Sequence, residues 1–194
     1  MKEKYNINQT TLRIIELYTT NYTKQMHLRE IARAINVDVK ATHLQLEKLE
    51  SLNVLNSTRK GRHKEYTLNL QNLLTKNFLV IAELFKSTKF LSENFPIKKI
   101  LSQIDDDSIT VLFGSYAKGT YTEESDIDIF SIGETSIGQL GKTIGKTIVV
   151  KSATEQQFYK GLSRDPLVKE VVNNHIVLRN AERFCDILWR FYAR

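Results

Sequence analysis

A length of 194 residues allows one domain or two small ones. A hydrophobic content of 41% with 26% charged residues is that of a soluble globular chain, and no apolar run approaches the ~20 residues of a membrane span. The net charge of +6 is uneven: residues 1–70 hold 12 Lys and Arg against 7 Asp and Glu, a net of +5, and the remainder holds 16 against 15, a net of +1.

The opening residues, Met1 to Asn6, lack the apolar core of a signal peptide. Cys185 is the single cysteine, so no internal disulfide can form, and its neighbours Phe184, Ile187 and Leu188 predict a buried thiol. A reducing, cytoplasmic setting is expected. The positive excess in the first third points to a polyanionic partner there.

In chain order, Leu12, Ile15, Leu17 and Tyr18 recur at helical spacing within Thr11–Tyr22. Leu28, Ile31, Ala32 and Ile35 form a second helical face, stopped at Asn36. Asp38 fits an N-cap, and the third helix runs from about Val39 to Leu52, with Leu44, Leu46, Leu49 and Leu52 expected inside. Two strand-like pieces follow, Val54–Thr58 and Glu65–Leu68, around the basic stretch Arg59-Lys60-Gly61-Arg62-His63-Lys64. Helix, helix, tight turn, helix and hairpin resemble the winged-helix DNA-binding domains. The resemblance implies duplex DNA as partner. Lys40, Thr42, His43, Gln45 and Lys48 would lie on the exposed side of the third helix, which enters the major groove in this motif. Arg59, Lys60, Arg62 and Lys64 would contact phosphates from the wing. A domain used only for protein contacts is the alternative.

Residues 71–95 read as a helix that is apolar nearly all round: Leu73, Leu74, Phe78, Ile81, Ala82 and Phe85 make one stripe, with Leu79, Val80 and Leu84 beside it. Such a helix needs cover on more than one side, so it is expected to connect two domains or to pair with a second copy in a homodimer. Phe95-Pro96 marks a boundary.

Beyond it, Ile97–Ile104 reads as helix and Ile109–Phe113 as a buried strand. The strand ends at Gly114-Ser115-Tyr116-Ala117-Lys118-Gly119, and a second strand opens at Ser125-Asp126-Ile127-Asp128. Residues i and i+2 of a strand share a face, so Asp126 and Asp128 aim their carboxylates alike. Oxygen-only ligands of this kind suit a hard divalent cation. The pattern Gly114-Ser115-x-Ala117-x-Gly119 with Ser125-Asp126-x-Asp128 resembles the signature of the minimal nucleotidyltransferases of the DNA polymerase β-like superfamily. The resemblance covers the chain from about Pro96 onward. It implies a nucleoside triphosphate such as ATP held at Gly114, Ser115 and Ser125, and Asp126 and Asp128 as catalytic ligands of Mg²⁺ or Mn²⁺. Members of that family usually carry a third carboxylate on a later strand. The matching strand, Lys146–Lys151, has none, and Thr147 stands in its place.

The remaining elements are a helix over Ile137–Ile144 weakened by its glycines, a helix from Thr154 to Leu162, another opened by Asp165-Pro166, an extended piece at His175–Leu178 and a closing helix, Ala181–Tyr192. Asp105-Asp106-Asp107 reads as a solvated turn, Glu123 and Glu124 as loop residues, and the four histidines lack zinc spacing.

The expected fold class is therefore α+β: a winged helix-turn-helix over 1–70, a connecting helix over 71–95, and a nucleotidyltransferase-like domain over 96–194 with a small mixed sheet flanked by helices. The expected function is DNA binding joined to Mg-NTP binding, with nucleotidyl transfer to an acceptor the sequence does not name. The alternative is a transcriptional regulator whose nucleotidyltransferase-like domain senses nucleotide or binds a partner without turnover.

Overall fold

The structure, a computed structural model, describes residues 7–61, 63–138 and 144–193. Contacts divide it into a first unit ending at Ala82 and a second from Glu83 to Tyr192.

The first unit contains α1 (Gln9–Glu16), β1 (Met26–His27), α2 (Leu28–Ile35), α3 (Val39–Ser51), β2 (Leu55–Lys60) and β3 (His63–Leu68). Each helix has a side-chain cap: Asn8 takes the Thr11 amide, His27 and Glu30 form a reciprocal capping box, and Asp38 takes the amides of Lys40 and Ala41. Asn36 ends α2 in the left-handed region (φ 51°), which asparagine tolerates better than most residues. α1 stops well short of Tyr22, and Ile14 joins Ile15 and Tyr18 inside, with the Tyr18 hydroxyl donating to the Tyr66 carbonyl. Burial pushes the Tyr18 phenol well up.

β1 was not legible as a strand. It pairs antiparallel with β3, giving the sheet order β1-β3-β2. The hairpin is longer than expected, because Gly61 at φ 61° permits a tight reversal and the ladder continues to Lys60 opposite His63. Arg59, Lys60 and Lys64 therefore sit on strands rather than in a basic loop, and Arg62 lies outside the described residues. Leu44, expected inside, is exposed on α3; the buried leucines there are Leu46 and Leu49.

The long helix α4 (Leu73–Glu93) contributes to both units. Phe78, Leu79 and Ala82 are buried, while Leu73, Ile81 and Leu84 remain 66%, 37% and 52% exposed. The stripe expected to hold Leu73 and Ile81 together with Phe78 is thus split between two faces.

The second unit continues with α5 (Phe95–Leu101), β4 (Ile109–Leu112), α6 (Gly114–Lys118), β5 (Ile127–Ile132), β6 (Ile148–Ala153), α7 (Glu155–Arg164), α8 (Pro166–Asn173), β7 (Ile176–Arg179) and α9 (Ala181–Tyr192). Its sheet runs β6-β5-β4-β7, with β5 and β6 parallel and the other pairs antiparallel. One face carries Leu112, Ile127, Ile129, Ile176 and Leu178 against Phe90, Ile97 and Ile100. On the other, Phe130 meets Phe158 of α7, which meets Phe184 of α9. Cys185 is buried as expected. The helix expected over Ile137–Ile144 falls mostly on residues 139–143, outside the described residues. No helix among the described residues is long and apolar enough to cross a membrane.

Two polar clusters brace this unit. Asp106 is not a solvated turn residue: it accepts from the Ser108 amide and hydroxyl and from Thr135, and pairs with Arg179 at 3.4 Å. Burial raises its carboxyl, but those hydrogen bonds outweigh it and hold the group below the usual range. Glu83 of α4 is fully buried, 2.7 Å from His175 Nε2 and 2.8 Å from Lys86 Nζ. His175 Nδ1 stands 2.7 Å from the Val172 carbonyl, which can only accept, so with Glu83 ionised both ring nitrogens donate. Burial alone would raise the Glu83 carboxyl; the His175 and Lys86 charges hold it at about 2.

Candidate functional site

β4 and β5 carry the candidate site at one end of the four-stranded sheet. Ile127 and Ile129 are buried, whereas Asp126 is exposed and Asp128 half-buried. This alternation directs both carboxylates to the face opposite the isoleucines. The Phe113 amide donates to the Asp128 carbonyl at 3.0 Å, closing the β4–β5 ladder next to Gly114.

Gly114 then turns with φ 68°, in the left-handed region. A Cβ placed on it would stand 2.3 Å from Asp128 Oδ2 and 3.0 Å from Cγ. The backbone of the Gly-Ser segment thus lies directly on the Asp128 carboxylate, and only glycine fits. Ser115 follows in α6, a five-residue helix that ends at Gly119 (φ 70°). Ser125 is drawn into the loop itself: its Oγ accepts from the Thr122 amide at 2.9 Å, and its own amide donates to the Thr122 carbonyl.

Burial raises the Asp128 carboxyl first, then the negative charges of Asp126 and Glu170, with Lys118 opposing. Glu170 of α8 pairs with Lys118 of α6 at 3.0 Å. Crowded negative charge of this kind favours a divalent cation, so the Asp126 and Asp128 oxygens fit the Mg²⁺ or Mn²⁺ that the resemblance implies. Among the described residues no group of three or more His, Cys, Asp or Glu side chains is arranged to hold a metal. Water and phosphate oxygens would have to complete the shell.

The strand beside the aspartates explains that shortage. β6 pairs with β5 so that Val149 lies opposite Asp128, and the Thr147 carbonyl accepts from the Ile127 amide. Residues of parallel strands in register share a face, so Thr147 and Val149 occupy the places next to the two aspartates, and β6 itself contains no acid. Glu123 and Glu124 are exposed in the loop. The Glu170–Lys118 pair was missed in the sequence. Lys118 lies inside the Gly-Ser motif, but nothing in the sequence ties α8 to it.

In the first unit, Lys40, His43 and Lys48 are exposed on α3, with His43 at 3.5 Å from Glu47. Thr42 departs from expectation: it is buried and its hydroxyl donates to the Asp38 carbonyl. Gln45 is half-buried and accepts from the Thr11 hydroxyl of α1. An i, i+3 step around the helix carries both from the expected outer face to the packed side. On the hairpin, Lys64 pairs with Glu50 at 2.7 Å and Lys60 with Glu65 at 3.4 Å, while Arg59 is exposed. The hydrogen bond from Lys64 to Glu50 holds the ammonium above its usual range, against a smaller desolvation effect.

Comparison with known proteins finds a family likeness in the second unit. Residues 96–178, less than half of the chain, match the family model described as a nucleotidyltransferase domain. A Methanocaldococcus jannaschii protein named a putative protein adenylyltransferase is 71% identical over 24 residues, which are 12% of this chain and 24% of that protein. The chain therefore spans about a quarter of the length of that curated relative. No solved structure matches.

Proposed function

We propose that the second unit binds a nucleoside triphosphate together with a divalent cation, and that the first unit is a winged helix that binds duplex DNA. The single observation behind the nucleotide reading is the seating of Gly114 on Asp128. It brings the Gly-Ser segment against the aspartate pair, the two halves of the nucleotidyltransferase signature. Gly114, Ser115 and Ser125 line the triphosphate side, and Asp126 and Asp128 provide the oxygens for Mg²⁺ or Mn²⁺. When bound, the cation neutralises charge on the phosphates and orients the attacking group.

The reaction is nucleotidyl transfer: an acceptor hydroxyl attacks the α-phosphorus, the bond to the β-phosphate oxygen breaks, and pyrophosphate leaves. Thr147 and Val149 cannot take the acceptor's proton, which then passes to solvent. General-base help typically contributes about 10²- to 10⁴-fold, so transfer is slow. The same two residues favour a second reading, in which the domain senses nucleotide without turnover and DNA binding by the first unit is the output. A second copy pairing through Leu73, Ile81 and Leu84 of α4 would supply the second recognition helix with which dimeric winged helices read two DNA half-sites.

A transfer assay with α-labelled nucleoside triphosphates and protein or RNA acceptors separates the readings. Label transferred by the wild type and lost in Asp128→Asn supports the enzyme. Mg-dependent binding without any transferred label supports the sensor, and loss of both binding and transfer in the wild type refutes the two together.

A further inference from the structure

Lys118 of α6 and Glu170 of α8 form an ion pair, Nζ to Oε1 3.0 Å, that neither the aspartates nor the Gly-Ser turn requires. Lys118 follows Gly114 by four residues, one turn of α6, so both leave the helix on the same side. Gly114 is the residue seated on Asp128, where an added Cβ would stand 2.3 Å from Oδ2. Helical side chains lean toward the start of their helix, which for Lys118 is toward Gly114 and the carboxylate beside it. The electrostatics agree with that placement. The Asp128 carboxyl is raised by the Glu170 charge and lowered by that of Lys118, so both partners stand close enough to act on it.

The pair is built to be exchanged. Both side chains are open to solvent, 40% exposed for Lys118 and 45% for Glu170. A solvated pair of this kind is weak, worth a factor of about five at most in an equilibrium. Its partners are 52 positions apart, so no shared helix face holds them together. A phosphate oxygen offers the ammonium a stronger partner. Charge-assisted hydrogen bonds to phosphate are short, and lysine makes them as a point charge on a flexible stem. The balance of charge points the same way. Asp126, Asp128 and Glu170 set three carboxylates against the ammonium of Lys118. A divalent cation answers the two aspartates, and the triphosphate that comes with it adds negative charge beside Lys118.

We infer that Lys118 is a triphosphate-binding residue of the nucleotide site and that Glu170 is its resting counter-ion, exchanged for a phosphate oxygen when the nucleotide binds. The inference rests on the nucleotide reading above and adds to it a cation for the phosphates. No covalent bond changes and no proton moves: the ammonium trades a carboxylate oxygen for a phosphate oxygen, and Glu170 turns to water. Glu170 thereby opposes nucleotide binding, because it competes for Lys118 and repels the arriving phosphates. Lys118 meets phosphate alone, so it acts alike on every nucleoside triphosphate and on a triphosphate that carries no base.

The experiment compares Mg-ATP with Mg-tripolyphosphate, which has the phosphates without the base, on the full-length chain by calorimetry. Lys118→Ala should weaken both ligands about 10- to 150-fold, the range of one hydrogen bond to a charged group. Glu170→Gln should instead tighten both, by about 2- to 5-fold. The two substitutions break the same exposed pair, so both variants should melt within about 4 °C of wild type. A pair that only braces α6 against α8 would give variants that weaken binding together, and that result overturns the inference. Affinity unchanged in either variant overturns it as well, as does a loss in Lys118→Ala confined to ATP. In each of those cases the wild type still binds Mg-ATP, and the nucleotide reading stands. A wild type that binds neither ligand overturns both.

Discussion

Replacing Gly114 with alanine tests the site without replacing any charged group. Two costs follow from the structure. The first is conformational: φ is 68°, where an L-residue loses roughly 1–2 kcal/mol. The second is steric, because the new Cβ would fall 2.3 Å from Asp128 Oδ2, and forced overpacking typically costs about 1–3 kcal/mol. Gly119 provides the control. Its φ is 70°, yet a Cβ there meets nothing within 4 Å, so Gly119→Ala carries the conformational cost alone. The backbone contributions cancel in the comparison. Gly114→Ala should be less stable than Gly119→Ala by about 1–3 kcal/mol in urea unfolding, or about 2–4 °C of melting temperature per kcal/mol for a chain of this size. Should Asp128 swing aside instead, the stability difference shrinks but the carboxylate pair is broken, and Mg-dependent ATP binding is lost. Equal stability combined with unchanged ATP binding in the two variants would refute the Gly114–Asp128 contact.

The Glu83 carboxyl, at about 2 rather than 4.5, contributes stability that is complete above pH ~4.5 and lost as pH falls toward 2. Glu83→Gln should remove about 3–5 kcal/mol at neutral pH, the usual cost of breaking a buried pair, and flatten urea-unfolding stability between pH 4.5 and 2; a variant that keeps the wild-type acid dependence contradicts the triad. DNA binding should weaken with salt at a log–log slope of about −0.9 per neutralised phosphate. Lys40→Ala and Arg59→Ala should each reduce that slope by about one, and a salt-independent affinity would count against the winged-helix reading. For the dimer proposed through α4, light scattering should give twice the chain mass, and Ile81→Glu with Leu84→Glu should halve it; a monomeric wild type at micromolar concentration excludes it.

Much of the local structure was legible because it depends on local rules. Asp38, Asp165 and Asn36 cap helices where short polar side chains do so generally, and α9 keeps the bounds its apolar periodicity predicted. The alternation of Ile127 and Ile129 with Asp126 and Asp128 fixed the facing of the acid pair. What the sequence hid depends on partners distant in the chain. β1 is two residues long and is a strand only because β3 lies beside it. Glu83 and His175 are 92 positions apart, and neither has a local signal of burial. Asp106 reads as solvated within a triple acid because the groups that close on it, Arg179 and Thr135, are 73 and 29 positions away. Thr42 and Gln45 were misplaced for a subtler reason. On an amphipathic helix with a weak apolar stripe, polar residues also fill packed positions when a backbone carbonyl or a neighbouring hydroxyl satisfies them.

The central claim, a nucleotide site built on Gly114, Asp126 and Asp128, is tested most directly by titrating the full-length chain with ATP in the presence and absence of Mg²⁺. The account predicts saturable binding that requires Mg²⁺ and is abolished by Asp126→Asn and by Asp128→Asn, with the melting temperature of neither variant lowered. Binding that persists without Mg²⁺, or that survives both substitutions, would contradict it.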